Sequence, residues 1–187
     1  MSAVSEVFDA IAAGDVDRVR ALAAEDPHVG LTRKDGVSAV LTARYYQRLE
    51  LVEVLLPEDE ALDVWEAAAL RRTSRLRTLL DEDPSLTDAA AGDGFRPLAL
   101  ASFFGHEEGV RLLLERGADV GARGTGAIRT TALEAAAAAG ETAIALLLLD
   151  AGADPRSAQA AVVPSSARAA GSAPRSTSRS YSSRFQF

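Results

Sequence analysis

Few residues in this chain could perform acid–base or metal chemistry. There are two histidines, His28 and His106, and no cysteine. Disulfides, thiol nucleophiles and cysteine zinc sites are therefore excluded. His106-Glu107-Glu108-Gly109 begins like a zinc-protease helix but lacks the second histidine one turn later that would complete a ligand pair. His28, beside Pro27, reads as a solvated loop residue. Gly121-Ala122-Arg123-Gly124-Thr125-Gly126 spaces its glycines somewhat as a phosphate loop does, yet no strand leads into it and no Lys-Ser/Thr follows, so it reads as a turn tip. The acidic runs Glu58-Asp59-Glu60 and Asp81-Glu82-Asp83 set carboxylates on consecutive residues. A Ca²⁺ loop needs them at alternate positions around a glycine bend, so these runs read as solvated turns. No Ser, His and acid arrangement stands out. The expectation is a protein that is not an enzyme and holds no cofactor and no metal.

The elements that could present binding groups must come from the rest of the chain. With 187 residues, 48% hydrophobic and 25% charged, it can bury one core of ordinary size. The longest apolar run, Ala143 to Leu149, is far short of the roughly 20 residues that span a bilayer, so no membrane association is expected. The first residues carry neither the basic group nor the apolar stretch of a secretory signal, and cytoplasmic residence is expected. Residues 1–154 hold all 27 acidic residues against 15 basic ones, a net −12, whereas residues 155–187 hold five arginines and no acid. A body this acidic repels phosphate, which argues against nucleic acid as its partner. One lysine against 19 arginines, with no asparagine, suggests GC-rich codons and a bacterial source.

A repeat is visible before any motif. Phe8 to Asp15, Ala99 to His106 and Glu134 to Glu141 each place a small residue four positions before a glycine, with a polar residue after it. Weaker copies run Thr42 to Gln47 and Glu66 to Arg71. The shared alanine falls at 10, 43, 67, 101 and 136, and twelve residues after it comes Leu22, Leu55, Leu79, Leu113 or Leu148. Nine residues after it comes Val19, Val52, Leu76, Val110 or Ala145, and an apolar pair three apart marks one face of a helix. Each unit therefore reads as two short antiparallel helices, with Leu113 and Leu79 in the core between units. Lys34-Asp35-Gly36, Gly92-Asp93-Gly94 and Gly117-Ala118-Asp119 running on to Gly126 read as turns, since Asp-Gly suits a positive φ at glycine. The second and third units are only 24 residues apart, so the linker Pro57-Glu58-Asp59-Glu60 is expected to be a tight irregular turn. Pro27 and Pro84 are expected to stop the helices before them.

Asp93-Gly94-Phe95-Arg96-Pro97-Leu98-Ala99-Leu100-Ala101, continued by Gly105-His106, Leu112-Leu113-Leu114 and Gly117-Ala118-Asp119-Val120, resembles an ankyrin repeat. Leu147-Leu148-Leu149-Asp150-Ala151-Gly152-Ala153-Asp154 repeats its closing segment, and Gly14 to Leu22 resembles the strings of bacterial ankyrin proteins. The resemblance is strongest at 92–123 and 126–155, weaker at 35–59, and weakest at 4–31 and 63–88. It departs from the family at the Thr-Pro-Leu-His tetrapeptide, where this chain has Arg96-Pro97-Leu98-Ala99 and Thr131-Ala132-Leu133-Glu134. The Thr and His that tie turn to helix read as missing together. The resemblance implies an all-α, ankyrin-like solenoid of about five stacked helix pairs with short hairpin turns over residues 1–154. The Ser/Ala/Arg-rich segment 155–187 is expected to be a disordered tail. A short helix from Ser157 to Val163, an out-of-frame ending and a basic docking arm are the other readings of it.

The resemblance further implies that the turn tips and the ends of the first helices line a concave face that binds a protein partner. Carried onto this chain, those positions include Tyr45, Tyr46, Leu70, Phe103 and Phe104, and the turns add Lys34, Val37, Phe95 and Arg96. Aromatic and arginine side chains on an exposed face are typical anchors. The alternative is that one member of each aromatic pair packs into the neighbouring unit. At the ends, Asp15, Asp17, Arg18 and Arg20 suit a cap facing water, whereas the last unit is bare over residues 135–149. The tail, a lost repeat or a second copy could cover it, and a homo-oligomer through that surface is the other functional reading.

Overall fold

Five helix pairs follow one another in the computed structural model, which describes residues 3–125 and 129–159. They are α1 (Ala3–Ala13) with α2 (Val16–Glu25), α3 (Ala39–Tyr45) with α4 (Leu49–Leu55), α5 (Val64–Ala69) with α6 (Thr73–Glu82), α7 (Pro97–Phe103) with α8 (Glu107–Glu115), and α9 (Ala132–Ala139) with α10 (Thr142–Asp150). A short helix, α11 (Pro155–Gln159), packs on α9. In every pair the residue capping the second helix lies five places after the shared alanine: Asp15, Arg48, Arg72, His106 and Glu141. The alanines themselves are buried. Only a side chain this small fits where the first helices α1, α3, α5, α7 and α9 stack in a row. The helices of a pair are joined through a left-handed residue. Glycine supplies it at 14, 105 and 140, but Gln47 and Arg71 adopt it with φ of 56° and 61°, a conformation costing a residue with a Cβ roughly 1–2 kcal/mol. These are the units whose sequence copies looked weak.

Small hairpins project between the pairs. β1 (Arg33–Lys34) and β2 (Val37–Ser38) pair antiparallel around Asp35-Gly36, both at positive φ (52° and 81°), which makes the two-residue turn whose twist matches the strands. The third unit has no such hairpin: its linker is a 3-10 turn over Asp59–Ala61, as the 24-residue spacing requires. The turn of the second unit therefore meets that of the fourth directly. A Cβ on Gly36 would lie 2.7 Å from the Gly92 Cα, and one on Gly92 would lie 2.5 Å from the Gly36 Cα. The next turn along continues the contact, with the Thr125 N–H donating to the Gly94 carbonyl at 2.9 Å.

The buried apolar side chains form two groups. One holds Val7, Ile11, Val19, Ala43, Leu51 and Leu55 of the first two units; the other runs from Leu41 and Tyr45 through Leu113 to Leu148 and Ala153. Four of the five aligned leucines are buried, but Leu79 is half-buried and Leu80, beside it, is in the core at 1% exposure. The placement of Leu79 is corrected accordingly. The 3-10 turn Pro84–Asp88 folds back on α6 and on α7, as the 3-10 turn Val29–Leu31 does on α2 and α3.

Two further expectations are revised. The fifth unit keeps the threonine of its tetrapeptide: the Thr131 hydroxyl accepts from the Glu134 N–H at 3.2 Å while the Glu134 carboxylate accepts from the Thr131 N–H at 3.2 Å, a reciprocal cap. Residues 155–159, expected in the tail, belong to the stack. Asp154 accepts from the Arg156 N–H at 2.9 Å, and Ala158 packs against the core. Residues 160–187, with the rest of the Ser157–Val163 helix reading, lie outside the described residues, as does Gly126. Among the described residues no helix is long and apolar enough to cross a membrane.

In urea unfolding, Leu113→Ala and Leu80→Ala should each cost about 2–5 kcal/mol, and Leu79→Ala nearer 1 kcal/mol. Equal losses at 79 and 80 would show that α6 is rotated from this placement.

Candidate functional site

The face of interest lies where α3, α5 and α7 end beside the hairpin turns. Tyr45, Phe95 and Phe104, expected as exposed anchors, are buried at 9%, 3% and 8% exposure, and that expectation is corrected. Tyr45 reaches past the third unit to the fourth. Its ring centroid lies 6.0 Å from that of Phe95 and 5.8 Å from that of Phe104, and its hydroxyl donates to Asp93 Oδ2 at 2.6 Å. These aromatic contacts join the second unit to the fourth. Burial, followed by the charge of Asp93, pushes the Tyr45 phenol well above its usual value. Arg96 is likewise structural: its Nε donates to the Arg123 carbonyl at 2.9 Å and an Nη to the Asp88 carbonyl, strapping the third unit to the turn of the fifth.

The half-exposed candidates remain at the face. Tyr46 and Leu70 cap the C-termini of α3 and α5, and Phe103 is the last residue of α7. Tyr46 and Leu70 lean on the core of the first two units; Phe103 stands edge-on to Phe104, centroids 5.0 Å apart at 84°. Val37 packs against the larger core from its hairpin, and Lys34 is exposed on β1.

Sequence reasoning missed two arginines here, Arg44 and Arg71. The Arg44 guanidinium lies 4.5 Å above the Phe104 ring, and its Nε donates to the Ala69 carbonyl at 3.5 Å. Burial, and then the charge of Arg71, hold it below its usual value. The signal available was Arg44-Tyr45-Tyr46, a cation directly beside an aromatic pair at a helix end. Arg33 was also missed. From the hairpin it donates to Asp63 Oδ2 at 2.5 Å and Glu66 Oε1 at 3.0 Å, joining the second unit to the reciprocal cap that starts α5. The Glu66 carboxyl is raised by burial and then by the charge of Asp63.

His106 is buried at the start of α8 and links three elements. Its Nδ1 lies 2.9 Å from the Ala68 carbonyl, which can only accept, so Nδ1 carries the proton. Nε2 faces the Thr73 hydroxyl at 2.8 Å, and that hydroxyl also lies 3.2 Å from Glu108 Oε2. The histidine reads as a joint between the third and fourth units. Among the described residues no three His, Asp or Glu side chains gather to hold a metal ion.

This register of helix pairs matches the family model of ankyrin repeats (3 copies) over residues 7–124 and 64–159. No curated protein matches the chain.

Burial lowers the His106 pKa below its ordinary 6.5, the Ala68 bond and the nearby Glu108 opposing and Arg71 adding to the shift. Above that value the ring is neutral folded and unfolded. Below it the unfolded chain takes up a proton that the folded chain resists, so stability falls with pH. Glu66 acts the other way at lower pH, because its raised carboxyl binds a proton more readily folded than unfolded. Denaturation at about pH 7.5 and about pH 5.5 should therefore show a larger loss for the wild type than for His106→Gln. Equal losses would rule out His106 as the titrating joint.

Proposed function

The chain belongs to the ankyrin repeat family, and we propose that it is a scaffold or adaptor taking a protein partner on a concave face formed by the ends of α3, α5 and α7 and the adjoining turns. Ankyrin repeats generally mediate protein–protein interactions. The observation that carries the reading is that Tyr46 and Leu70, at the C-caps of α3 and α5, and Phe103, one place before the C-cap of α7, are each half-exposed at the ends of successive first helices, Phe103 standing on the buried Phe104. Lys34 adds a cation at the hairpin tip. Large side chains at the rim of a packed, desolvated floor make strong anchors. A bacterial cytoplasm is the proposed setting, the bacterial source supported by the excess of arginine over lysine and the lack of asparagine. Recovery of the chain from a membrane or extracellular fraction would count against that location.

A pull-down from the native cell should lose its specific partner when Tyr46→Ala and Phe103→Ala are combined, each worth about 2 kcal/mol if it is an anchor. Thermal melting of the double variant must stay near that of the wild type. Full retention of the partner by a folded double variant would remove this face from consideration.

A second reading, self-association, is favoured by one observation. Leu146 and Leu149 of α10 are 58% and 36% exposed, with Ala137, Ala139 and Ala143 exposed beside them. Contiguous apolar surface of this kind marks interaction sites. Sedimentation over a concentration series should then show a dimer that Leu146→Glu with Leu149→Glu dissolves. A wild-type protein that stays monomeric throughout eliminates this reading.

A further inference from the structure

Resting on the reading of this face as a protein-docking surface, we propose that the partner presents an acidic segment whose carboxylates seat on Arg44 and Arg71, with an apolar side chain beside them against Tyr46, Leu70 and Phe103. The argument begins with charge. The body carries a large excess of acid, and Arg18, Arg20, Arg33, Arg72, Arg111, Arg116 and Arg123 each make an ion pair with a carboxylate. Arg44 and Arg71, like Arg48, Arg75, Arg77, Arg96 and Arg129, make none among the described residues; Arg44 is set apart by its place, with the Nε on the Ala69 carbonyl two residues before Arg71 and the guanidinium over Phe104. Of the five N–H donors on the Arg44 guanidinium, one is used, at the long distance of 3.5 Å. The guanidinium lies above the Phe104 ring, 4.5 Å from the centroid. A planar, held guanidinium is suited to bidentate recognition of a carboxylate.

Backbone conformation supplies the second argument. Arg71 occupies the position that glycine fills at 14, 105 and 140, and it holds φ at 61° there. Gln47 shares that conformation at the equivalent place of the second unit, but only Arg71 puts a cation there. Such features persist where a function needs them. The acidic body disfavours a polyphosphate on the same spot, whereas a short acidic peptide brings a few charges and the apolar contact that the half-exposed rim can take.

The test uses the full ¹⁵N-labelled chain and two synthetic hexapeptides, Asp-Glu-Leu-Phe-Glu-Asp and its amide counterpart Asn-Gln-Leu-Phe-Gln-Asn, with a single-stranded oligothymidylate as a third probe. The acidic peptide should move the Nε–H resonances of Arg44 and Arg71 and bind roughly tenfold more tightly than the amide peptide, the gap closing as salt rises. Arg71→Gly should raise the melting temperature, because glycine relieves the backbone, yet lose most of that preference. This opposite movement of stability and binding separates a docking role from a structural one. Equal binding of the two peptides, unchanged preference in Arg71→Gly, preferred binding of the oligonucleotide, or no response to either peptide overturns the proposal. Equal binding that still moves Tyr46 and Phe103 leaves the docking face standing without its charge. A native partner retained by the folded Tyr46→Ala, Phe103→Ala variant removes the face itself.

Discussion

No pair of helices in this stack can keep its apolar side dry alone, and each is covered by the pair beside it. That constraint sets the row of buried alanines along the first helices, because backbones that must lie side by side leave room for little more than a methyl group. It also sets the penalty for irregularity. When the chain between the second and third units shortens to a single 3-10 turn, the hairpin that would have covered the neighbouring turns is absent. Gly36 and Gly92 close the gap at the tips, and Tyr45 meets Phe95 and Phe104 across the same two units.

Polar groups then join what apolar contact leaves separate. The division between the two cores falls at α3, which contributes to both. Arg33 crosses from the hairpin to Asp63 and Glu66, and Arg72 pairs with Asp59 at 3.3 Å. His106 ties the start of α8 to the end of α5 through Ala68. Hydrogen bonds of this sort are directional, so they select one stacking register where alanine surfaces alone would tolerate several. The same segment of the fold carries the candidate docking face. The junction of the second and third units therefore carries the ion pairs of Arg33 and Arg72 together with Arg44 and Arg71, which make no ion pair among the described residues.

The repeated architecture was legible in the sequence because it rests on short-range spacing: the capping residues of all five second helices follow the shared alanines by the same interval. Leu80 was not legible, since Leu79 and Leu80 are both apolar and only the packing of α6 in the stack decides between them. The aromatic pairs stand out in the sequence, but the direction of each member does not. Tyr45 points inward onto Phe95, Phe104 and Asp93 of the fourth unit, long-range partners that no local pattern records. Tyr46 and Phe103, one place to either side of their buried partners, retain the half-exposure expected of the face. Arg44 and Arg71 escaped notice because guanidinium groups are common in this chain, and the place of Arg44 over Phe104 is visible only in three dimensions.

Linear arrays of repeats are commonly treated by giving each unit an intrinsic weight and each junction a coupling. The Tyr45 hydroxyl on Asp93, with the glycine contact ahead of it, adds a coupling that skips a member of the array. The third unit is then enclosed by partners that hold each other, so it cannot melt independently without disturbing two junctions and a bridge. A statistical description of this chain needs a next-nearest-neighbour term, and its cooperative block extends from the second unit through the fourth.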